Sequence, residues 1–339
     1  MIGGEFQISV IDMVNTDGKC SASSNLHMYS SGRAALFQIL KYLKKEKALN
    51  RVLLPDYLCS SVLVPVKLLD LKYEFYHIDE KLELILDEFK KLYKSGTAVL
   101  LINYFGLKDL KSQINDVRSI DTDAIIIEDD VQAYYEFLKP LDSVDFKFTS
   151  LRKTFAIPDG GLVKTNYHLP NVSTPNTFGQ YKAAAALLKS MREGNFNDKI
   201  YLELFKKGEE LIDVEIECGM SHIADKLYSF VNDERAKVQR IINAQYLIGQ
   251  LDKIGISPIL PIEKGHVPLF IPVALKNRDK VRKAMFKKEI FCPVHWPLSE
   301  EGLKRGKALA ETELSIIIDQ RYSVRDMDEI INVLKENII

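Results

Sequence analysis

The sequence is poor in the features that fix small or extracellular folds. Its four cysteines, Cys20, Cys59, Cys218 and Cys292, are scattered and form no C-x-x-C pair. That excludes a dense disulfide framework and the common zinc sites, and it fits a reducing compartment. Charge of one sign is also missing: 46 basic and 47 acidic side chains nearly cancel, so nothing points to nucleic acid or an anionic membrane as partner. No apolar run approaches the ~20 residues that cross a bilayer. The opening "MIGGEFQISV" lacks the basic start and continuous apolar stretch of a signal peptide, and a cytoplasmic location is expected. No G-x-G-x-x-G follows the first strand, and neither G-x-x-x-x-G-K-[ST] nor H-E-x-x-H occurs. Simple dinucleotide, P-loop and zinc-protease readings lose their support, and no metal site is assigned.

What remains is a chain of 339 residues, 46% hydrophobic and 27% charged, large enough for two domains. From about residue 26, short apolar runs alternate with helical patterns. "RVLLP", "KYEFYHI", "TAVLLINYF" and "DAIIIED" read as strands, and Leu36, Ile39, Leu40 and Leu43 share one face of the first helix. Strands apolar throughout and separated by helices predict an α/β fold with a mostly parallel central sheet covered by helices. Beyond Thr165 the chain is mainly helical, including a long helix with Ile241, Ala244, Ile248 and Leu251 on its inner stripe. A smaller C-terminal α/β unit follows, closed by a helix with a capping box at Ser323 and Asp326. The expected division is 1–225 and 226–339.

Three segments could carry chemistry, and each has a plain alternative. Ser31-Gly32-Arg33 stands where a strand turns into a helix, suited to a phosphate or simply to an N-cap. Asp129 and Gln132 lie just beyond the buried strand "IIIED", at the sheet edge where α/β folds bind ligands. That segment is otherwise an acidic loop meeting water, or a Mg²⁺ site from Glu128, Asp129 and Asp130. Lys153, in "SLRKTFAIPDGG", follows Ser150 and precedes Gly160-Gly161; alone it is a surface lysine. Their order matters more than any one of them. A glycine-bearing helix start, an acid at a strand end and a lysine 24 residues later match the needs of pyridoxal 5′-phosphate: an anion cradle, a carboxylate at the ring nitrogen and an amine.

Over nearly its whole length the sequence resembles the DegT-type sugar aminotransferases, fold type I pyridoxal-phosphate enzymes. "SGRAALFQIL" is similar to the family's phosphate turn, "IIIEDDVQAYY" to its Glu-Asp-x-x-Gln-Ala segment, and "SLRKTFAIPDGG" to its Ser…Lys…Gly-Gly stretch. "RIINAQYL", "CPVHWPL" and "LSIIIDQRYSVRDM" resemble its later signatures.

The resemblance implies that Lys153 is the Schiff-base lysine and that Asp129 pairs with the ring nitrogen. Gln132 would lie at the ring's oxygen side, with Ser150, Ser31 and Gly32 on the phosphate. Arg33 stands where the family has threonine and would add a phosphate contact or point to solvent. The ring-stacking position falls on Cys59, with Tyr57 two residues away; a ring stacks better than a thiol, so Tyr57 is expected there. His295, Arg321 and Tyr322 match positions near the substrate, the last two serving either contact or support. The family's Gly-Tyr-Asn-x-Arg segment, lent by a neighbouring subunit, is absent, with "TPNTFGQYK" in its region. The implied activity is transfer of an amino group from an amino acid, such as glutamate, to a nucleotide-linked keto sugar by a homodimer, in cell-surface polysaccharide or related sugar biosynthesis. A sugar dehydratase or lyase, or a non-catalytic homologue with a regulatory or scaffold role, are the alternatives.

Overall fold

The computed structural model describes residues 1–7, 25–191, 198–296 and 304–338. Its strands are β1 (Ile2–Gly3), β2 (Leu26–Tyr29), β3 (Arg51–Pro55), β4 (Lys72–Tyr76), β5 (Ala98–Ile102), β6 (Ile125–Asp129), β7 (Phe146–Ser150), β8 (Gly161–Thr165), β9 (Phe270–Ala274), β10 (Ile290–Phe291) and β11 (Glu313–Ile317). Seven of them form one sheet in the order β2-β8-β7-β6-β5-β3-β4. β4, β3, β5, β6 and β7 run parallel, and β8 is antiparallel to both of its neighbours. β5 is Ala-Val-Leu-Leu-Ile and buried at every position, as a strand covered on both faces must be.

The helix Gly32–Glu46 lays Leu36, Ile39, Leu40 and Leu43 into the core beneath the sheet, together with Ala34, Ala35 and Phe37. Because the parallel strands share one direction, their carboxyl ends share one edge. Ile102, Asp129 and Ser150 end β5, β6 and β7 there.

A second apolar core joins Ile2 to residues from Ala244 to Leu334, around the antiparallel pair β9–β11 and the parallel pair β1–β10. The helix Asp233–Asp252 serves both units. Ala236 packs with Tyr134, Leu151 and Phe155 of the first, whereas Ala244, Leu247 and Leu251 enter the second core. The division expected near residue 225 falls in the preceding helix, His222–Phe230.

The inner stripe of the long helix differs from the apolar pattern. Ile241 and Ile248 are half-buried, while Arg240 and Asn243 are buried. The reason is hydrogen bonding. Arg240 donates to the carbonyls of Leu269 and Thr154, at 3.1 and 3.3 Å, and Asn243 to those of Ile318 and Tyr322. Buried polar groups are tolerated when so satisfied. The final helix, Val324–Asn337, starts as expected, with the Ser323 N–H donating to Asp326 Oδ2 at 2.7 Å. Among the described residues, no helix is long and apolar enough to cross a membrane.

Candidate active site

The carboxyl ends of β5, β6 and β7 open into a cavity of about 490 Å³. Ser31, Gly32, Arg33, Asp129, Gln132, Ser150, Lys153, His295 and Arg321 all line it. The structure therefore brings together nine of the residues singled out in the sequence, from segments up to 290 residues apart. Tyr57 and Tyr322 are not in the lining.

One wall is a turn held by close backbone approach. Ser31 caps the helix Gly32–Glu46, its Oγ accepting from the Ala34 N–H at 3.1 Å. That hydroxyl keeps its own proton for a ligand. Gly160 donates to the Ser30 carbonyl at 2.7 Å and accepts from the Leu151 N–H at 3.0 Å, tying the double glycine to the turn. A Cβ on Gly161 would stand 2.0 Å from the Ser31 carbonyl oxygen, and one on Gly32 would meet Ser150 Cβ at 3.2 Å. Only glycine fits at Gly161, and Gly32 brings the helix start against Ser150.

Asp129 faces the cavity from the end of β6. It is buried, and its carboxylate accepts the Val131 N–H at 2.9 Å. Burial raises its carboxyl to about 7, and that bond offsets only part of the rise. Glu128, adjacent on the strand, points to the opposite face, where its carboxylate lies 3.3 Å from Lys147 Nζ. Glu128 and Asp129 do not converge, and among the described residues no group of three His, Cys, Asp or Glu side chains could hold a metal. Gln132 accepts the Phe105 N–H through Oε1 at 3.0 Å. Its amide NH₂ is left to donate to the cavity it borders.

Lys153 sits in the single helical turn Leu151–Thr154 that follows β7. The side chain borders the cavity and is exposed to its water, while protein packs around the amine closely enough to desolvate it in part. Burial lowers its amine pKa, the Arg152 guanidinium lowers it further, and Cys59, Glu5 and Glu209 pull the other way. The result is an amine more readily neutral than an ordinary lysine.

His295 presents a neutral imidazole: burial, followed by the charge of Lys153, depresses its pKa to about 3. Arg321 is committed to Asp319, with Nε to Oδ1 at 2.8 Å and Nη2 to Oδ2 at 2.7 Å. Tyr322 is a support: its hydroxyl accepts the Gly3 N–H at 2.6 Å and holds the N-terminal strand. Arg33 turns toward Asp213, 2.6 Å from its carboxylate.

The expectation of a stacking ring from Tyr57 is not met. Tyr57 is fully buried, stacks on Tyr104 at 5.5 Å and donates its hydroxyl to the His295 carbonyl at 2.5 Å. Cys59, two residues on, reaches the cavity instead.

Sequence reasoning overlooked Glu5 and Phe6, which join the lining because β1 pairs with β10. It also overlooked Arg152, which borders the cavity beside Lys153 and pairs with Glu209 at 2.9 Å.

No family model matches the chain, and no curated protein matches it. Solved structures do. The sugar aminotransferase CalS13 from Micromonospora echinospora is 14% identical, with a TM-score of 0.64 over 92% of this chain and 87% of its own. A DegT DnrJ EryC1 StrS aminotransferase from Brucella abortus is 15% identical, with a TM-score of 0.59 over 92% and 86%. NtdA from Bacillus subtilis, solved with bound cofactor PMP, is 13% identical, with a TM-score of 0.64 over 92% and 73%. The chain has the fold of these aminotransferases, fold type I.

Proposed function

We propose that the protein is a pyridoxal-phosphate-dependent aminotransferase of the DegT type that passes an amino group from an amino acid, glutamate first among the candidates, to a nucleotide-linked keto sugar. One observation carries the reading. A lysine amine of lowered pKa and a buried carboxyl border the same cavity, beside the start of a helix. The residues fit the cofactor. A carboxyl raised to about 7 by burial would gain a counter-charge in a protonated ring nitrogen. Gly161 admits the Ser31–Gly32 turn so closely that backbone N–H groups, the Ser31 hydroxyl and Ser150 can cradle a phosphate at the helix N-terminus.

When bound, the cofactor supplies an aldehyde and an electron sink. The protein's part is placement and proton transfer. Asp129 would hold the ring nitrogen's proton, and Gln132 would donate its amide to the ring's oxygen side. Cys59, which lines the cavity, would take the place expected of a stacking ring. Lys153 Nζ, its pKa lowered by burial, would take the substrate α-proton and return it at the carbon that the cofactor's aldehyde supplies. His295, neutral, would meet the sugar.

Three observations support the wider reading. CalS13 and the Brucella abortus protein, which share this fold, are aminotransferases. Leu202 is about half-exposed while lining the cavity, which suits closure by a second subunit in a homodimer. Cys59, Cys218 and Cys292 are free thiols, which suits a reducing cytoplasm.

The test is direct. Pyridoxal phosphate added to purified protein should give a visible absorption band, and borohydride should fix the cofactor's mass on the peptide that contains Lys153. Lys153→Ala should lose both, and glutamate should be converted to its oxo acid. A wild-type protein that binds no cofactor at saturating supply would sink the proposal. Binding with no amino donor converted would favour a lyase or a non-catalytic homologue.

A further inference from the structure

His295 is held in the cavity wall by a short chain of hydrogen bonds. Its Nδ1 lies 2.7 Å from the Ser315 hydroxyl oxygen, and Ser315 donates to Glu313 Oε1 at 2.5 Å. The other carboxylate oxygen of Glu313 accepts the His295 backbone N–H at 2.6 Å. Glu313 and Ser315 are two apart on β11, so both stand on one face of the strand, and both are fully buried. A serine hydroxyl has one proton to give. With that proton directed at Glu313, Ser315 can only accept from the ring, so the imidazole proton sits on Nδ1. Nε2 then keeps its lone pair, and it is the ring nitrogen left for a molecule in the cavity.

We propose that Glu313, acting through Ser315, sets the tautomer of His295 and with it whether that side chain accepts or donates a hydrogen bond in the cavity. With Glu313 ionised, Nε2 is an acceptor and matches a hydroxyl. With Glu313 protonated on Oε1, the carboxyl donates to Ser315, Ser315 turns its proton onto Nδ1, and the ring exchanges its Nδ1 proton with water for one on Nε2. Nε2 then donates and matches a carbonyl oxygen. The net change is one proton taken up at Glu313.

Among the described residues, the charged and titratable groups around this chain are few. Arg278 faces Glu313 from the helix Arg278–Lys287, Tyr57 and Cys292 pack near it, and Lys153 faces His295. Burial raises the Glu313 carboxyl to about 7, and the His295 N–H, Ser315 and Arg278 offset only part of that rise. Both states are therefore within reach near neutrality. The tautomer assignment needs nothing bound. Its matching to a sugar's hydroxyl or keto group rests on the proposed function.

Glu313→Gln gives the sharpest test. The His295 backbone N–H is a fixed donor, so the amide oxygen must turn to it and the NH₂ must face Ser315. Ser315 then donates to Nδ1, and the ring is forced to carry its proton on Nε2. The measurement is a long-range ¹H–¹⁵N correlation on cofactor-free protein labelled at histidine, with the His295 signal assigned by its loss in His295→Gln. The wild type, above the ionisation of Glu313, should show the Nδ1–H pattern. Glu313→Gln should show Nε2–H at the same pH, and Ser315→Ala should lose the wild-type preference. A wild type already Nε2–H, or one tautomer shared by wild type and folded Glu313→Gln, would overturn the proposal. If Glu313→Gln does not fold, the wild type decides by titration: a tautomer constant from well below to well above the Glu313 ionisation overturns it. Tautomer exchange in a protein that binds no pyridoxal phosphate would sink the enzymatic reading and support this one. In active enzyme, Glu313→Gln should raise the KM for the keto sugar about tenfold, with a smaller change in kcat, and an unchanged KM would remove the recognition role.

Discussion

Arg321 and Asp319 face each other through two parallel hydrogen bonds, 2.8 and 2.7 Å long, with the guanidinium lying over the ring of Phe6 at 4.1 Å. Its remaining NH groups point at the carbonyls of Gly4 and Glu5, at 3.4 and 3.2 Å. The fork is thus spent on ordering the N-terminal segment, which brings Glu5 and Phe6 into the cavity wall. The pair is nearly buried, with side chains 10% and 6% exposed.

Removing one partner of a buried pair leaves the other charge uncompensated, at a cost of ~3–5 kcal/mol. Asp319→Ala should lose stability on that scale in urea unfolding, and a loss below ~1 kcal/mol would show the pair to be dispensable. The sign with pH follows from the shift. Burial pushes the Asp319 carboxyl up, but Arg321 outweighs it and holds the group below its ordinary range. The pair's contribution is present above the unfolded carboxylate's pKa and is lost as pH falls through the folded one. Asp319→Ala should therefore be less acid-sensitive than wild type in this part of its stability curve.

Arg33 offers the contrasting case. Its ion pair with Asp213 is 2.6 Å long, but the side chains are 21% and 48% exposed. Exposed pairs contribute ~0–1 kcal/mol. Arg33→Ala should shift stability by less than ~1 kcal/mol, measured by denaturant midpoint; a larger loss would mean that Arg33 anchors the helix start itself.

Much of the scaffold was legible because its signals are local. Strands such as Ala98–Ile102 are apolar at every position, and Leu36, Ile39, Leu40 and Leu43 repeat at helical spacing. Asp129, Ser150 and Lys153 could be placed because each sits at or just beyond a strand end. What could not be read depends on distant partners. Nothing near Tyr57 marks its hydroxyl as bound to the carbonyl of His295, 238 residues away, which takes the ring out of the cavity and leaves the place to Cys59. The buried face of the long helix was read in part, with Ala244 and Leu251 in the core, and missed in part for a like reason: Arg240 and Asn243 look like surface residues until carbonyls from three other segments surround them. Glu313 and Ser315 carry no motif, and their meaning comes from His295 lying across from β11.

Gly161 is set by space alone. Its position opposite Ser31 leaves no room for a methyl group, since the added Cβ would stand 2.0 Å from the Ser31 carbonyl oxygen and 2.9 Å from the Gly32 nitrogen. Both are backbone atoms and cannot turn away. Gly161→Ala should cost ~1–3 kcal/mol or more through overpacking. It should also weaken phosphate binding, because the turn that must move is the one that cradles it. Unfolding and titration with pyridoxal phosphate read the two effects, and a variant with wild-type stability and affinity would show that the turn can shift freely.

Asp129 couples stability to function in opposite directions. In the ligand-free protein its carboxyl is raised to about 7 by burial, from an ordinary value of 3.8. The native state then holds a proton that the unfolded state releases, so stability is fullest below the unfolded pKa and declines as pH rises toward the folded one. A shift of that size corresponds to at most ~4 kcal/mol once both states are ionised. Asparagine keeps the shape and the acceptor for the Val131 N–H, yet carries no charge. Asp129→Asn should therefore raise the stability of cofactor-free protein above neutral pH, flatten the slope between about pH 4 and about pH 7, and weaken the binding of pyridoxal phosphate by removing the ring nitrogen's counter-charge. Thermal unfolding across that range, with a cofactor titration on the same samples, separates the effects. A variant that is no more stable than wild type at alkaline pH would show that Asp129 already has a compensating partner when nothing is bound.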